Sequence, residues 1–367
     1  MTDKKGRFSS GEPESRHVAI AGVGMVTALG GDVDSSCAAM RVRFNNHKET
    51  AFKDRDHEPI IGSRTPIDPS LFGDARLVEM MVHALAQTNV QLTPEFCANV
   101  PLALCTPETE TVGRPNSDLA LIARLERRLG VQFKPGISGN LPHGHVSGLM
   151  ALQIAQNLLY EQNFPCVLVL AADSLLNAEG LASLDEHGKL LTPSNDFGVI
   201  PGEAAVALWL TRPLPGAVAP LIVGTSFANI NPLDETGRPA PVTGRELAQV
   251  TWEACAQARC PPASIDLRLA DCNGLDVRFK ESALAEGIVF KDNPSQTMPS
   301  MWQPAECLGE IGASLSLSAI AWALHAYRKG YLPASAVNSS AHRYVLLQAS
   351  NDGLQRAAAI LRFGTGA

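Results

Sequence analysis

The chain has 367 residues, a formal net charge of −7, 45% hydrophobic residues and 5% aromatics. That length holds one large two-part domain or two ordinary ones, with a core of Ala, Leu, Val and Ile rather than rings. The acidic balance excludes nucleic acid or an anionic membrane as the main partner, since both select a basic face.

Residues 1–16 contain no apolar core, so they read as a disordered tail and not as a signal peptide or anchor. His17 to Gly24 is a short β-rich run closed by glycine. Within it Gly22-Val23-Gly24 is no dinucleotide fingerprint, because Thr27 stands where a third glycine is needed, and no cofactor is expected. Leu119 to Leu129 has helical spacing and carries Arg124, Arg127 and Arg128. The three arginines read as a solvated helix face, with docking of an acidic carrier protein as the alternative. A Gly-broken loop, His143-Gly144-His145-Val146-Ser147-Gly148, runs into a second helical stretch from Leu149 to Tyr160.

Pro165 to Ala172 and Ala204 to Trp209 are buried-strand candidates, and three prolines then interrupt residues 212–220. Pro220 to Ser226 repeats the form of the opening strand. It is followed by helical spacing over Leu247 to Ala258 and Ser316 to Tyr327, and by strand runs at Leu267 to Asp271, Val345 to Ala349 and Ala357 to Leu361. This alternation predicts two α/β halves, 17–212 and 221–367, about a linker at 213–220, with parallel strands joined by crossovers. No apolar run is as long as a membrane span. Eight cysteines without a C-x-x-C pair read as reduced thiols, which fits a cytoplasmic protein.

Five segments, in collinear order, resemble the ketosynthases of fatty-acid and polyketide assembly. They are Ala21 to Gly30, the loop and helix from His143 to Ala155, Cys166 to Ser174, Gly198 to Ala205, and Gly309 to Ala313 with the later Lys329-Gly330-Tyr331-Leu332-Pro333. The resemblance implies a thiolase-like α/β fold: two pseudo-duplicated halves whose layered sheets enclose buried helices. The helix from Val146 would be one of these, with Gly148 and Ala151 permitting close packing. It also implies a homodimer, or a heterodimer with a related subunit, paired through an apolar edge strand at Cys166 to Ala172. Glu203 would satisfy buried backbone donors near that interface.

A condensing ketosynthase uses a thiolate, two histidines and a lysine. Setting Ser147-Gly148 on the family's Cys-Ala-Ser-Gly puts His145 at the nucleophile, and imidazole forms no comparably stable acyl-enzyme. The family's Ala-His-Gly-Thr loop is matched by Asp271-Cys272-Asn273-Gly274, so Asn273 replaces the first histidine and can donate a hydrogen bond but no proton. At the second histidine stands Gly309 or Glu310, depending on register, and Met301 to Cys307 contains no lysine. The aromatic gate loop is replaced by Ser-Asn-Asp-Gly-Leu at residues 350–354. Loss of the nucleophile alone would leave a decarboxylase, whereas loss of all four groups leaves no condensing mechanism.

His145, Asn273, Asp276 and Glu310 are therefore the polar groups expected at the former catalytic pocket. They fit an acyl hydrolase with His145 as base and Glu310 as its orienting carboxylate. They also fit a vestigial network in which the helix dipole holds His145 neutral and His145→Ala leaves folding nearly intact. The second reading is preferred. His143 and His145, with Glu310 or Asp276, spell a weak metal pattern, and a metal-free site with His143 facing solvent is preferred. Cys272 reads as a small buried hydrophobe rather than a displaced nucleophile.

The function expected is that of a non-catalytic interaction protein. The Asp-x-Asn-Gly loop and the late Gly-Glu-x-Gly-Ala resemble thiolase-like accessory proteins found beside type VI secretion effectors, which implies an adaptor with an effector as partner. The chain also resembles the chain-length-factor subunit, whose partners are an active ketosynthase and its acyl carrier protein.

Overall fold

Glycine marks the place where each half packs a helix directly onto its first strand. In the computed structural model a Cβ at Gly24 would lie 1.9 Å from the Ala84 carbonyl oxygen, and one at Gly224 would lie 2.1 Å from that of Ala254. Only glycine permits so close a backbone approach. The structure describes residues 16–113, 119–215, 219–231, 233, 237–238, 240–291, 298–335, 341–352 and 354–364. Apart from Arg16, the expected tail lies outside the described residues, as do residues 216–218 of the expected linker.

The first half runs β1 (Val18–Thr27), α1 (Val33–Arg41), β2 (Lys48–Lys53), β3 (Pro59–Gly62), α2 (Gly73–Ala86), α3 (Pro94–Cys97) and β4 (Leu102–Thr106). It continues with α4 (Leu119–Leu129), β5 (Gly139–Pro142), α5 (Ser147–Tyr160), β6 (Cys166–Ser174), α6 (Ala178–Glu186) and β7 (Glu203–Thr211). The second half runs β8 (Leu221–Asn229), α7 (Arg245–Gln257), β9 (Ile265–Ala270), α8 (Asp276–Val289), β10 (Ser300–Trp302), α9 (Ala305–Leu308), α10 (Leu315–Arg328), β11 (His342–Ser350) and β12 (Gln355–Gly364).

Ten strands join in the order β10-β9-β11-β12-β8-β1-β7-β6-β4-β5, while β2 and β3 pair separately. The pairing pattern is the same in both halves. β1 is antiparallel to β7 and β7 to β6, whereas β6–β4 and β4–β5 are parallel. β8, β12, β11, β9 and β10 repeat these relations in that order. Among the described residues the halves are joined in the sheet by the register pairs Val18↔Ile222 and Ala19↔Leu221.

Two expectations are corrected. The predicted all-parallel arrangement holds only for the outer three strands of each half. A few residues separate β11 from β12, enough for a hairpin but not for the crossover a parallel pair needs. Cys166 to Ala172 is not an edge: β6 pairs with β4 on one side and β7 on the other. Its amides have partners in both directions, so it is not a strand through which two copies could pair. The sheet's edges are β5 and β10.

The strands enclose α5 and α10. α5 packs on β4 and β6 of its own half and on β8 and β12 of the other, and α10 touches strands of both halves as well. Every residue of α10 from Leu315 to Ala326 is buried, which is why its apolar residues do not keep to one face. α2 and α4 cover the outer face of the first half, and α7 and α8 that of the second. All eight cysteines are free and buried. Among the described residues no helix is long and apolar enough to cross a membrane.

Candidate functional site

α5 and α10 begin alike. Each is preceded by a single 3-10 turn, Gly144–Val146 or Gly312–Ser314, and the glycine that opens it has φ of +56° or +53°. This left-handed backbone suits glycine, and it makes His145 of one half the counterpart of Ala313 in the other. The two turns touch, and the Ser316 hydroxyl donates to the His145 carbonyl.

Glu310 stands at the centre of this junction. Its Oε1 accepts from His145 Nε2 at 2.8 Å and from the Gly312 amide at 2.5 Å, and its Oε2 accepts from the Asn273 amide group. Its backbone bonds Ile200 and Gly202, which fixes the carboxylate at the entrance of α10. Of the two residues that register left open, Glu310 is the one whose side chain reaches His145.

On the other face of the ring, His145 Nδ1 lies 3.5 Å from Asp271 Oδ2, an ion-pair distance rather than a close hydrogen bond. That carboxylate also accepts from the Ser350 amide at 2.6 Å. Burial would push the imidazole toward its neutral form. The Glu310 and Asp271 carboxylates outweigh it and raise the His145 pKa to about 10, against a smaller opposing effect of Arg278. The two carboxylates on either side of the ring therefore favour the imidazolium form of His145, opposite to the neutral histidine expected from the helix dipole.

A cleft of about 300 Å³ opens beside it, with Lys189, Arg278 and Asp352 at its margin. Arg278 donates to Asp352 at 2.6 Å and Lys189 does so at 2.7 Å. Burial opposes ionisation of Asp352, but these two cations hold its carboxyl well below the usual range. Glu108 and Glu110 add negative charge to the lining.

Of the four predicted site residues, His145, Asn273 and Glu310 come together and Asp276 does not. Asp276 is the exposed first residue of α8, and its carboxylate accepts from the neighbouring Val277 amide. Asp271 takes its place. β9 ends at Ala270, so Asp271 lies just beyond the strand, and its place two residues before Asn273 in the Asp-x-Asn-Gly loop is the signal that points to it. Arg278, in the first turn of α8, carries no recognisable sequence cue.

His143 is half-buried and its Nδ1 bonds Gln355 Oε1 at 3.0 Å, so it does not face solvent as expected. Among the described residues no group of three or more His, Cys, Asp or Glu side chains is arranged to hold a metal ion. Cys272 is buried with its thiol 3.8 Å from the Arg278 carbonyl, and burial raises its pKa to about 12. Such a thiol is no nucleophile at neutral pH.

Glu203 is fully buried and also differs from expectation. It accepts one backbone bond, from Thr65, but its main partner is Arg76, at 2.5 Å. Arg124 and Arg128 pair with Asp74 and Glu79 of α2, which leaves little free charge in the proposed carrier patch.

Over nearly its whole length the chain is similar to the oxazolomycin ketosynthase domain of Streptomyces albus, with a TM-score of 0.75 and 13% identity, covering 96% of this chain and 76% of that one. It is also similar to a ketosynthase in complex with its chain length factor from Xenorhabdus doucetiae (TM-score 0.70, 14% identity, 96% and 100% covered). A third is the ishigamide ketosynthase/chain length factor (TM-score 0.66, 17% identity, 94% and 99% covered). The chain has the thiolase-like fold of the ketosynthases. No family model matches the sequence, and no curated protein matches it by sequence. In this ketosynthase fold, His145 holds the helix-entrance position, and Asn273 and Glu310 face it from the second half.

Proposed function

We propose that this protein is a non-condensing, ketosynthase-like subunit that works by binding another protein, in the manner of a chain length factor paired with a ketosynthase. The observation that carries this reading is the His145 clamp. Glu310 bonds Nε2 and the Asp271 carboxylate lies 3.5 Å from Nδ1, and both favour the protonated ring, which has no lone pair to attack a thioester or take a proton. The two carboxylates would also repel the carboxylate of a malonyl group. His145 and Glu310 are within hydrogen-bonding reach beside an open cleft, as a hydrolase would require, but a protonated imidazole cannot act as its base.

Similar structures that contain a ketosynthase with its chain length factor support a protein partner of that kind. The secretion-adaptor reading rests on the Asp-x-Asn-Gly loop and the late Gly-Glu-x-Gly-Ala alone, and the three similar structures named above do not bear on it. A homodimer remains the competing assembly.

Two measurements test the proposal. The purified chain, given acyl- and malonyl-thioesters on carrier protein, should yield no β-ketoacyl product, and its appearance would refute the proposal. Affinity capture from the native host with mass spectrometry should return a ketosynthase. Recovery of a secretion effector in its place would move the assignment to the adaptor. A chain that forms only homodimers and captures no partner would refute pairing with a ketosynthase.

A further inference from the structure

A second cleft, of about 440 Å³, shares no lining residue with the His145 site. It lies along α10, where Trp322 falls two turns, roughly 10 Å, beyond the helix start. Trp302, the last residue of β10, stacks on Trp322 with ring centroids 4.4 Å apart and planes 28° from parallel, and it lies 6.1 Å and 29° from Tyr331. Three of the chain's eight Trp and Tyr residues, four of each kind, are thus gathered at one opening. Trp322 is 6% exposed, whereas Trp302 and Tyr331 are half-buried and keep surface at the cleft.

The mouth is basic. The Arg41 guanidinium sits 4.4 Å from the centre of the Tyr331 ring, and among the described residues no carboxylate pairs with it. Arg43 is held by Glu306 at 3.3 Å. The Gln303 carboxamide makes only a long contact, 4.0 Å, with the Met301 sulfur.

These features select a ligand. Parallel, partly open rings favour a flat aromatic partner in offset stacking. A guanidinium without an acid of its own favours an anion. An ammonium ligand is disfavoured, because Arg41 already occupies the Tyr331 face that would attract it. The cleft's volume lies in the range of small-molecule sites. We propose that this cleft binds a planar aromatic ring carrying an anionic group, the ring stacking on Trp302 and the anion pairing with Arg41.

Calorimetric titration of the full chain tests this with AMP and 2-naphthoate as probes, and adenosine and ribose 5-phosphate as controls. At least one probe should bind saturably at one site, with both controls about tenfold weaker or more, the weight of one charged contact or one stacked ring. AMP alone would identify a nucleotide as the source of the ring, and 2-naphthoate alone an aromatic carboxylate. Arg41→Gln and Trp302→Ala should each weaken binding by about tenfold. Arg41 is a surface residue, so its variant keeps the test decisive if Trp302→Ala fails to fold. Binding of neither probe, adenosine binding as well as AMP, or equal affinity in a folded variant would overturn the proposal.

Discussion

His145→Ala is predicted to destabilise the fold, contrary to what a vestigial residue would do. The substitution leaves Glu310 and Asp271 facing each other across a vacated ring. Glu310 keeps its bonds from Asn273 and Gly312, and Asp271 keeps that from Ser350. Removing one partner of a buried ion pair costs ~3–5 kcal/mol, and the adjoining cleft lets water reach the gap, which places the loss at the lower end, ~3 kcal/mol. With an unfolding entropy of about 2.1 cal/mol/K per residue over 367 residues, that corresponds to a fall of about 4 °C in Tm. The pH dependence gives a sharper readout. Folding raises the His145 pKa from 6.5 to about 10. Its contribution is therefore complete below pH 6.5 and is lost as pH rises through about 10. Thermal unfolding of both proteins from pH 6 to 10 should show the gap between them closing toward pH 10. A gap of less than ~1 °C at pH 7, or one that does not change with pH, would show that His145 is not an imidazolium in this site.

Two further substitutions separate the observed site from the expected one. Asp271→Asn should cost ~1–3 kcal/mol, the loss of a buried charged partner, while Asp276→Asn should stay within ~0.5 kcal/mol, as other exposed substitutions do. Equal effects in thermal melts would contradict the placement of Asp271. Arg76→Met should cost ~3–5 kcal/mol by leaving Glu203 charged and buried without its partner. Adding Glu203→Leu should recover part of that loss, and a double variant less stable than Arg76→Met would argue against an uncompensated charge as the cause.

The elements legible in the sequence were those whose burial writes a simple pattern. Leu119–Leu129 and the helices at Leu149 and Ser316 were visible from their apolar spacing, and the strands at Cys166, Ala204, Leu267, Val345 and Ala357 from short apolar runs. α2 also carries a legible pattern, with Leu77, Met81, Ala84 and Leu85 on one face. β2 is polar and mostly exposed and β3 is only the four residues Pro59–Gly62, so neither offers a pattern to read. The resemblance implies an edge at Cys166–Ala172, against the composition of the strand itself. An unbroken apolar run signals cover on both faces, which central strands have and exposed edges lack. At the site, residue types located His145, Asn273 and Glu310. The protonation of His145 was not legible, because it depends on Asp271 and Glu310 meeting across the ring from separate elements.

The duplication carries one more consequence. Matching Gly144 with Gly312 makes Ala313 the counterpart of His145, and Pro142 the counterpart of Glu310. If the halves were true copies, any cation at one helix entrance would confront its own duplicate, and any anion would do the same. A bond between unlike charges at a pseudo-twofold junction requires that symmetry be broken. His145 and Glu310 break it, each opposite a counterpart that carries no charge.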